Sequence, residues 1–130
     1  MIKQDYIIRM IQAIITALAE VLLKKKKLRH SEKEEYDGII RQVLGITEEE
    51  LALKSADELK NLYREDAEQW DKLELAAMKM LQMAEDAEGN LLQQARLRQN
   101  GLELLTTVQT EGNSFSLQRN YLIQLIKLNS

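Results

Sequence analysis

The stretch YIIRMIQAIITALAEVLL, residues 6–23, decides the fold of this chain because fourteen of its eighteen side chains are apolar or aromatic. The four polar positions recur every three or four residues, at Arg9, Gln12, Thr16 and Glu20. On a helix that turns about 100° per residue they form, with Asp5, one polar stripe roughly 80° wide. A helix that is apolar around the rest of its circumference has to be buried from several sides. The pattern therefore predicts a first helix, over about residues 2–26, that is central in the fold or lies in a subunit interface.

The same stretch has to be compared with a secretion signal and with a membrane span. A signal peptide carries its positive charges before the apolar segment, whereas the lysines at residues 24–27 follow it. A periodic polar stripe suits contact with water, and a charged residue at the centre of a bilayer costs roughly 2.5–3.5 kcal/mol. We therefore expect no transmembrane span.

Composition favours one all-α domain over residues 1–130. The chain has no proline, no cysteine and only five glycines. Residues that favour helices, namely Leu, Ala, Glu, Lys and Gln, are abundant. The absence of cysteine excludes disulfides and thiolate sites, and it fits a cytoplasmic location. Because the net charge is only −3 at pH 7, we expect no nucleic-acid partner.

Capping residues divide the first half of the remaining chain into helices. Ser31 with Glu34 predicts the start of a second helix, and Gly45 predicts its end. Thr47 with Glu50 predicts the start of a short third helix.

Two boundaries in the middle of the chain stay open. Ser55 and Glu58 form another capping pair, so a helix either restarts there or carries the serine on its surface. Asp66 with Gln69 is a further capping pair, although the apolar spacing runs through it without interruption. Average helix length favours a break at residues 64–66 over one helix of about 33 residues.

A tight reversal organises the C-terminal half. Gly89 and Asn90 predict a turn between two neighbouring antiparallel helices. The second of these covers about residues 91–110 and has five core candidates: Leu92, Ala95, Leu102, Leu105 and Val108. Gly101 lies inside this helix, where it lowers helix stability, so we expect another helix to approach it closely.

The last helix is predicted to begin at Ser114 or Ser116. Its apolar residues are Tyr121, Leu122, Leu125, Ile126 and Leu128. The whole pattern predicts five to seven helices in antiparallel hairpins, arranged as a compact bundle or as a short repeat-like superhelix.

Two segments resemble an uncharacterised bacterial family of small helical proteins: MIKQDYIIRMI at residues 1–11, and FSLQR at residues 115–119 near the family's end. The resemblance implies a recurring group made of Gln4, Asp5, Tyr6 and Arg9, and it implies no activity or binding residue. Trp70 and Leu73 resemble the start of a tetratricopeptide repeat. The other consensus positions do not recur at that repeat's period of about 34 residues, so this likeness concerns hairpin packing alone.

Our first function hypothesis is a protein-interaction or scaffold domain that is not an enzyme and that self-associates through the first helix. Its contact surface would consist of Tyr6, Met10, Ile14, Ile15, Leu18 and Leu22. The chain has one histidine, no Glu-x-x-His pair and no glycine-rich phosphate loop, so we expect no metal, cofactor or catalytic residues.

A second hypothesis is binding to a membrane surface or an anionic polymer through a basic run: Lys24, Lys25, Lys26, Lys27 and Arg29. Acidic residues follow this run immediately and would partly cancel its field, so a solvated helix end is the favoured explanation of the run. A third hypothesis is a small-molecule-binding helical domain whose pocket is lined by Trp70, Met78, Met80 and Met83. Core packing is the commoner use of such side chains and is the favoured alternative.

Overall fold

The computed structural model describes residues 4–24, 26–87 and 89–128, without the side chains of residues 4 and 5. These residues form seven helices and no strand: α1 (Gln4–Lys24), α2 (His30–Leu44), α3 (Glu48–Leu53), α4 (Ala56–Leu62), α5 (Gln69–Asp86), α6 (Leu91–Glu111) and α7 (Leu117–Leu128). The predicted all-α fold of five to seven helices is confirmed.

The central helix is α5. Of the two positions predicted for the first helix, central in the fold or in a subunit interface, the central one is therefore wrong. Ten of the eighteen residues of α5 are buried, because α6, α1, α2 and α3 all pack against it. In α1 the buried residues occupy one face: Ile11, Ile14, Ile15, Leu18 and Ala19. Its outward face carries the polar stripe, with Arg9, Gln12 and Thr16 exposed and Glu20 half-buried. Ala13 is exposed. In the sequence it made the apolar face of the first helix look wider, although its side chain is small.

Most of the predicted helix starts are confirmed at the capping atoms. The Thr47 and Ser55 hydroxyls each accept a hydrogen bond at 3.1 Å from the backbone N–H three residues later. Their partners Glu50 and Glu58 accept in return from the cap backbone at 3.1 and 3.0 Å. The chain therefore does restart a helix after Ser55.

Later caps follow the same rule. Asn90 accepts from the Gln93 N–H at 3.1 Å. Gly89 has a φ of 85°, a left-handed conformation that favours glycine. Of the two serines proposed to start the last helix, Ser116 is the cap, since its hydroxyl accepts from the Arg119 N–H at 3.1 Å.

Two predicted caps are wrong. The helix proposed to begin after Ser31 begins at His30, where the Glu32 carboxylate accepts from the Arg29 N–H at 3.2 Å. The break before α5 is present, but the N-cap residue is Glu68 and not Asp66. The Asp66 carboxylate instead binds the Lys72 ammonium at 2.6 Å.

The predicted core residues of α6 and the apolar residues of α7 differ in how deeply they are buried. Leu105, Val108 and Leu122 are buried, whereas Leu102, Leu125 and Ile126 are half-buried. The prediction that Leu92 and Ala95 belong to the core is wrong, since both are exposed. In α7, Tyr121 and Leu128 are exposed as well. The faces of α6 and α7 that pack against the other helices are narrower than the spacing of their apolar residues suggests.

The close approach predicted at Gly101 is present, and the approaching helix is α5. A Cβ atom at this position would lie 2.8 Å from Leu81 Cγ and 3.2 Å from the Ala77 carbonyl oxygen. Leu81 is itself buried, so it has little space into which to move. The glycine thus permits α5 and α6 to pack more closely than any larger residue would allow.

We expect Gly101→Ala to lower the free energy of unfolding by about 1–2 kcal/mol, because the overpacking outweighs the better helix propensity of alanine. Gly38→Ala, inside α2, is the matched control, since a Cβ there meets nothing within 4 Å. It should raise the free energy of unfolding by about 0.5–1 kcal/mol. Urea unfolding measures both, and a Gly101→Ala protein as stable as Gly38→Ala would contradict the close approach.

Candidate functional site

The contact surface predicted on α1 is only partly accessible. Tyr6 is exposed, whereas Met10 and Leu22 are half-buried. Ile14, Ile15 and Leu18 belong to the chain's own hydrophobic core. A surface for another molecule on this helix is thereby reduced to Tyr6, Met10 and Leu22, next to the polar stripe.

A groove separates α1 from α2. Both helices pack against α5 but approach each other little. A cleft of about 240 Å³ lies at one end, lined by Ile7, Met10, Gln42, Val43, Glu68 and Lys72. A cleft of about 530 Å³ lies at the other, lined by Val21, Lys26, Lys27, Leu28, Lys33, Gln82, Glu85 and Asp86. Since the start of α1 lines a cleft with the end of α2, the two helices run antiparallel.

The basic run does not form one patch. Lys26 and Lys27 line the larger cleft, whereas Lys24 and Arg29 are exposed elsewhere on the same segment. Arg29 binds Glu32 at 3.0 Å. Lys25 lies outside the described residues.

Sequence reasoning missed Lys33, which reaches this cleft from α2. Burial acts to lower the pKa of Lys33, but the Asp37 carboxylate 3.3 Å away outweighs it and raises the pKa above its ordinary value. Glu85 and Asp86 on the facing wall offset part of the positive charge of the cleft.

The buried Lys79 ammonium is the most enclosed charge among the described residues. It lies 2.6 Å from both the Asp37 and the Glu48 carboxylates. It also donates a hydrogen bond, at 2.7 Å, to Gln82 Oε1. The ammonium is therefore surrounded by oxygen atoms of two carboxylates and one side-chain amide. The crevice beside it has a volume of about 10 Å³, room for about one water molecule, so we interpret the cluster as structural.

A second buried cation, Arg119, fixes α7 in place. Its guanidinium binds both oxygens of Glu74 on α5, at 2.8 and 3.1 Å. It also donates to Gln109 Oε1 on α6 at 2.6 Å and to the Ser114 carbonyl at 3.0 Å. Close by, burial raises the pKa of Asp71, and the negative charge of Glu74 adds to the rise.

The connection between α4 and α5 is held by polar contacts of Tyr63. Its hydroxyl donates to the Leu44 carbonyl at the end of α2, at 2.7 Å. Burial, with the charge of Asp66, raises the pKa of Tyr63 to about 12. The Lys72 ammonium lies 5.8 Å above the ring. Tyr63 thus stays neutral and serves as a donor at ordinary pH.

The pocket proposed around Trp70 and the methionines does not coincide with any of the clefts beside α1. Met78 and Met80 are buried in the core, and Trp70 and Met83 pack against it half-buried. None of the four lines the clefts beside α1. Among the described residues, no three His, Cys, Asp or Glu side chains are grouped in a way that could hold a metal ion.

A row of exposed side chains on α7 is not explained by packing within the chain, and we call it the α7 ridge: Leu117, Tyr121, Gln124 and Leu128. Its apolar members have exposed fractions of 78%, 62% and 83%, respectively. Phe115, just before the helix, is 67% exposed. The sequence signal that could have revealed the ridge is its regular spacing of four, three and four residues.

Within the described residues, one helix has the length and apolar composition to cross a membrane, over Tyr6–Lys24. Core helices pass the same test, and α1 contributes five residues to the core. These properties alone are weak support for a membrane span.

No protein-family model, no curated protein and no solved structure matches this chain. The resemblance to the uncharacterised bacterial family, and that to tetratricopeptide hairpins, therefore stay predictions. A function for this protein therefore has to be inferred from its exposed surfaces and clefts.

We expect Lys79→Met to lower the free energy of unfolding by about 2–4 kcal/mol, because it leaves two partly buried carboxylates without their shared cation. Lys33→Met is the matched control: its side chain is 39% exposed, and its partner Asp37 keeps Lys79. The control should change stability by less than about 1 kcal/mol. Equal losses in thermal or urea unfolding would show that Lys79 does not hold α2 and α3 on α5.

Proposed function

We propose that this protein is a non-enzymatic interaction domain that associates with itself, and that the contact helix is α7 instead of α1. The observation that carries the proposal is the exposure of the α7 ridge. Three large apolar side chains there, Leu117, Tyr121 and Leu128, are more than half exposed on one helix. Isolated exposed apolar residues are normal on protein surfaces, whereas a contiguous row favours an interaction site.

The polarity of the two candidate helices distinguishes them. The outward face of α1 carries the arginine, glutamine and threonine of its polar stripe. The α7 ridge carries one uncharged polar residue, Gln124, and no charge. Removing charged groups from water at an interface is costly, so the uncharged surface is the better contact.

The way in which the buried charged side chains are bound supports a binding role over an enzymatic one. The two buried cations, Lys79 and Arg119, are held by carboxylates and amide oxygens of the same chain. An enzymatic function would need a positioned nucleophile, acid or base that faces a cleft large enough for a substrate. With this function we propose the cytoplasmic location, and the lack of a nucleic-acid partner, that the sequence predicts.

We expect sedimentation velocity to show a monomer–dimer equilibrium that shifts toward dimer as the protein concentration rises to about 1 mM. Leu117→Asp combined with Leu128→Asp should leave only monomer, because each dimer would then bury four carboxylates. Leu53→Asp combined with Leu92→Asp is the matched control, since these leucines are also exposed, on other helices.

Three results would contradict this proposal. A strict monomer at the highest concentration would exclude self-association. Dissociation of the control protein would place the contact at Leu53 and Leu92. Dissociation by Tyr6→Asp, with no effect of the α7 substitutions, would return the contact to α1.

A second candidate function, binding to an anionic membrane surface, is favoured by the convergence of Lys26, Lys27 and Lys33 on one cleft. In this case the protein should sediment with vesicles that contain phosphatidylserine, and more weakly as salt is raised. Lys26→Gln combined with Lys27→Gln should abolish the binding. Lys54→Gln combined with Lys60→Gln changes the net charge equally outside the cleft and should not. Equal effects of the two pairs would overturn a specific role for the cleft.

A further inference from the structure

We infer that two copies of the chain pair through their α7 ridges in an antiparallel, two-fold symmetric arrangement, an inference that rests on the self-association proposed above. The partner is a second copy of this chain. The α7 residues that carry the inference are Leu117, Tyr121, Gln124 and Leu128, all exposed.

The first argument is the spacing of the ridge. Steps of four, three and four residues place its members within an arc of about 60° on one side of the helix. This is the spacing of the contact positions in a coiled coil, where side chains of one helix fit between those of another. The ridge therefore has the form of a helix-pairing surface and not of scattered exposed residues.

The second argument is the symmetry of that spacing, which reads the same in both directions along α7. When a second copy is turned by a two-fold axis, Leu117 meets the partner's Leu128, and Tyr121 meets the partner's Gln124. Contacts of residue i with j, repeated as j with i, are what an isologous interface requires. The pairing also gives the Tyr121 hydroxyl an amide to bind, whereas parallel pairing would place glutamine against glutamine.

The third argument is charge. The helix α7 has no acidic residue, and its two cations are Arg119 and Lys127. Arg119 faces the interior and binds Glu74. Antiparallel pairing keeps the two Lys127 side chains about 13 Å apart along the helix axis, so no like charges meet across the ridge. Opposed helix dipoles also favour the antiparallel form.

The area of the surface limits the strength of the dimer. The three apolar ridge residues and Phe115 together expose about 500 Å² of apolar surface per copy. Complete covering of these side chains in both copies would bury at most about 1,000 Å², which is at the low end for specific interfaces. We therefore expect a weak dimer, with a dissociation constant on the order of 10 μM.

The absence of native cysteine permits a direct test by disulfide formation. Two single variants, Leu117→Cys and Leu128→Cys, are oxidised mildly, each alone and as an equal mixture. In the antiparallel arrangement the two positions face each other, so the mixture should yield a crosslinked heterodimer about tenfold above either homodimer. A disulfide needs Cα atoms within about 7 Å, whereas equivalent positions would lie about 16 Å apart. Mixed Leu53→Cys and Leu92→Cys proteins are the control and should remain uncrosslinked.

The outcomes separate this inference from the function on which it rests. Efficient Leu117→Cys homodimers would overturn the antiparallel arrangement and leave α7 as the contact helix. Concentration-dependent dimers in sedimentation, without any crosslink between the α7 variants, would place the contact elsewhere and leave self-association in force. Monomer alone in sedimentation, together with no crosslink, would overturn both.

Discussion

Burial of α5 is the constraint on which the rest of the structure depends, because this helix carries polar side chains into the interior. Lys79 and Gln82 are buried there, and Glu74 is nearly so. A buried polar group needs a partner, and each of these finds one. Asp37 and Glu48 bring α2 and α3 to Lys79, and Arg119 brings α7 to Glu74. Apolar contact holds the helices together, while these pairs determine which helix lies beside which part of α5.

The sequence predicted local features well because their causes lie within a few residues. The capping pairs at Thr47, Ser55 and Asn90 each join residues three apart, and all three are formed. The central position of α5 could not be found in this way. Its polar side chains made it look less buried than α1, and the partner of Lys79 lies 42 residues away at Asp37. No local pattern indicates that a lysine will be neutralised by a distant carboxylate.

The α7 ridge is a second feature that local sequence patterns could not predict. Apolar spacing in α7 predicts an amphipathic helix, but it cannot tell which apolar side docks when two are available. Tyr121, Leu122 and Leu128 all belong to the apolar pattern of this helix, yet of the three only Leu122 is buried. The deciding contact is Arg119, which lies roughly opposite the α7 ridge and points into the bundle toward Glu74. The inward contact of Arg119 leaves the ridge on the outer side of the helix. The spacing of apolar residues cannot predict this orientation, because it takes no account of polar residues.

The short turn at Gly89 and Asn90 has a consequence for the entropy of the chain. Four residues, 87–90, connect α5 to α6, whereas forty-four, 25–68, separate α1 from α5. In the unfolded chain, closing the longer connection costs about 2 kcal/mol more chain entropy than closing the shorter one, from the logarithm of their elevenfold ratio. The α5–α6 hairpin is thus the part of the fold that the connectivity favours most. The long apolar helix at the start of the chain docks at a much larger entropic cost, and its five core residues have to offset that cost.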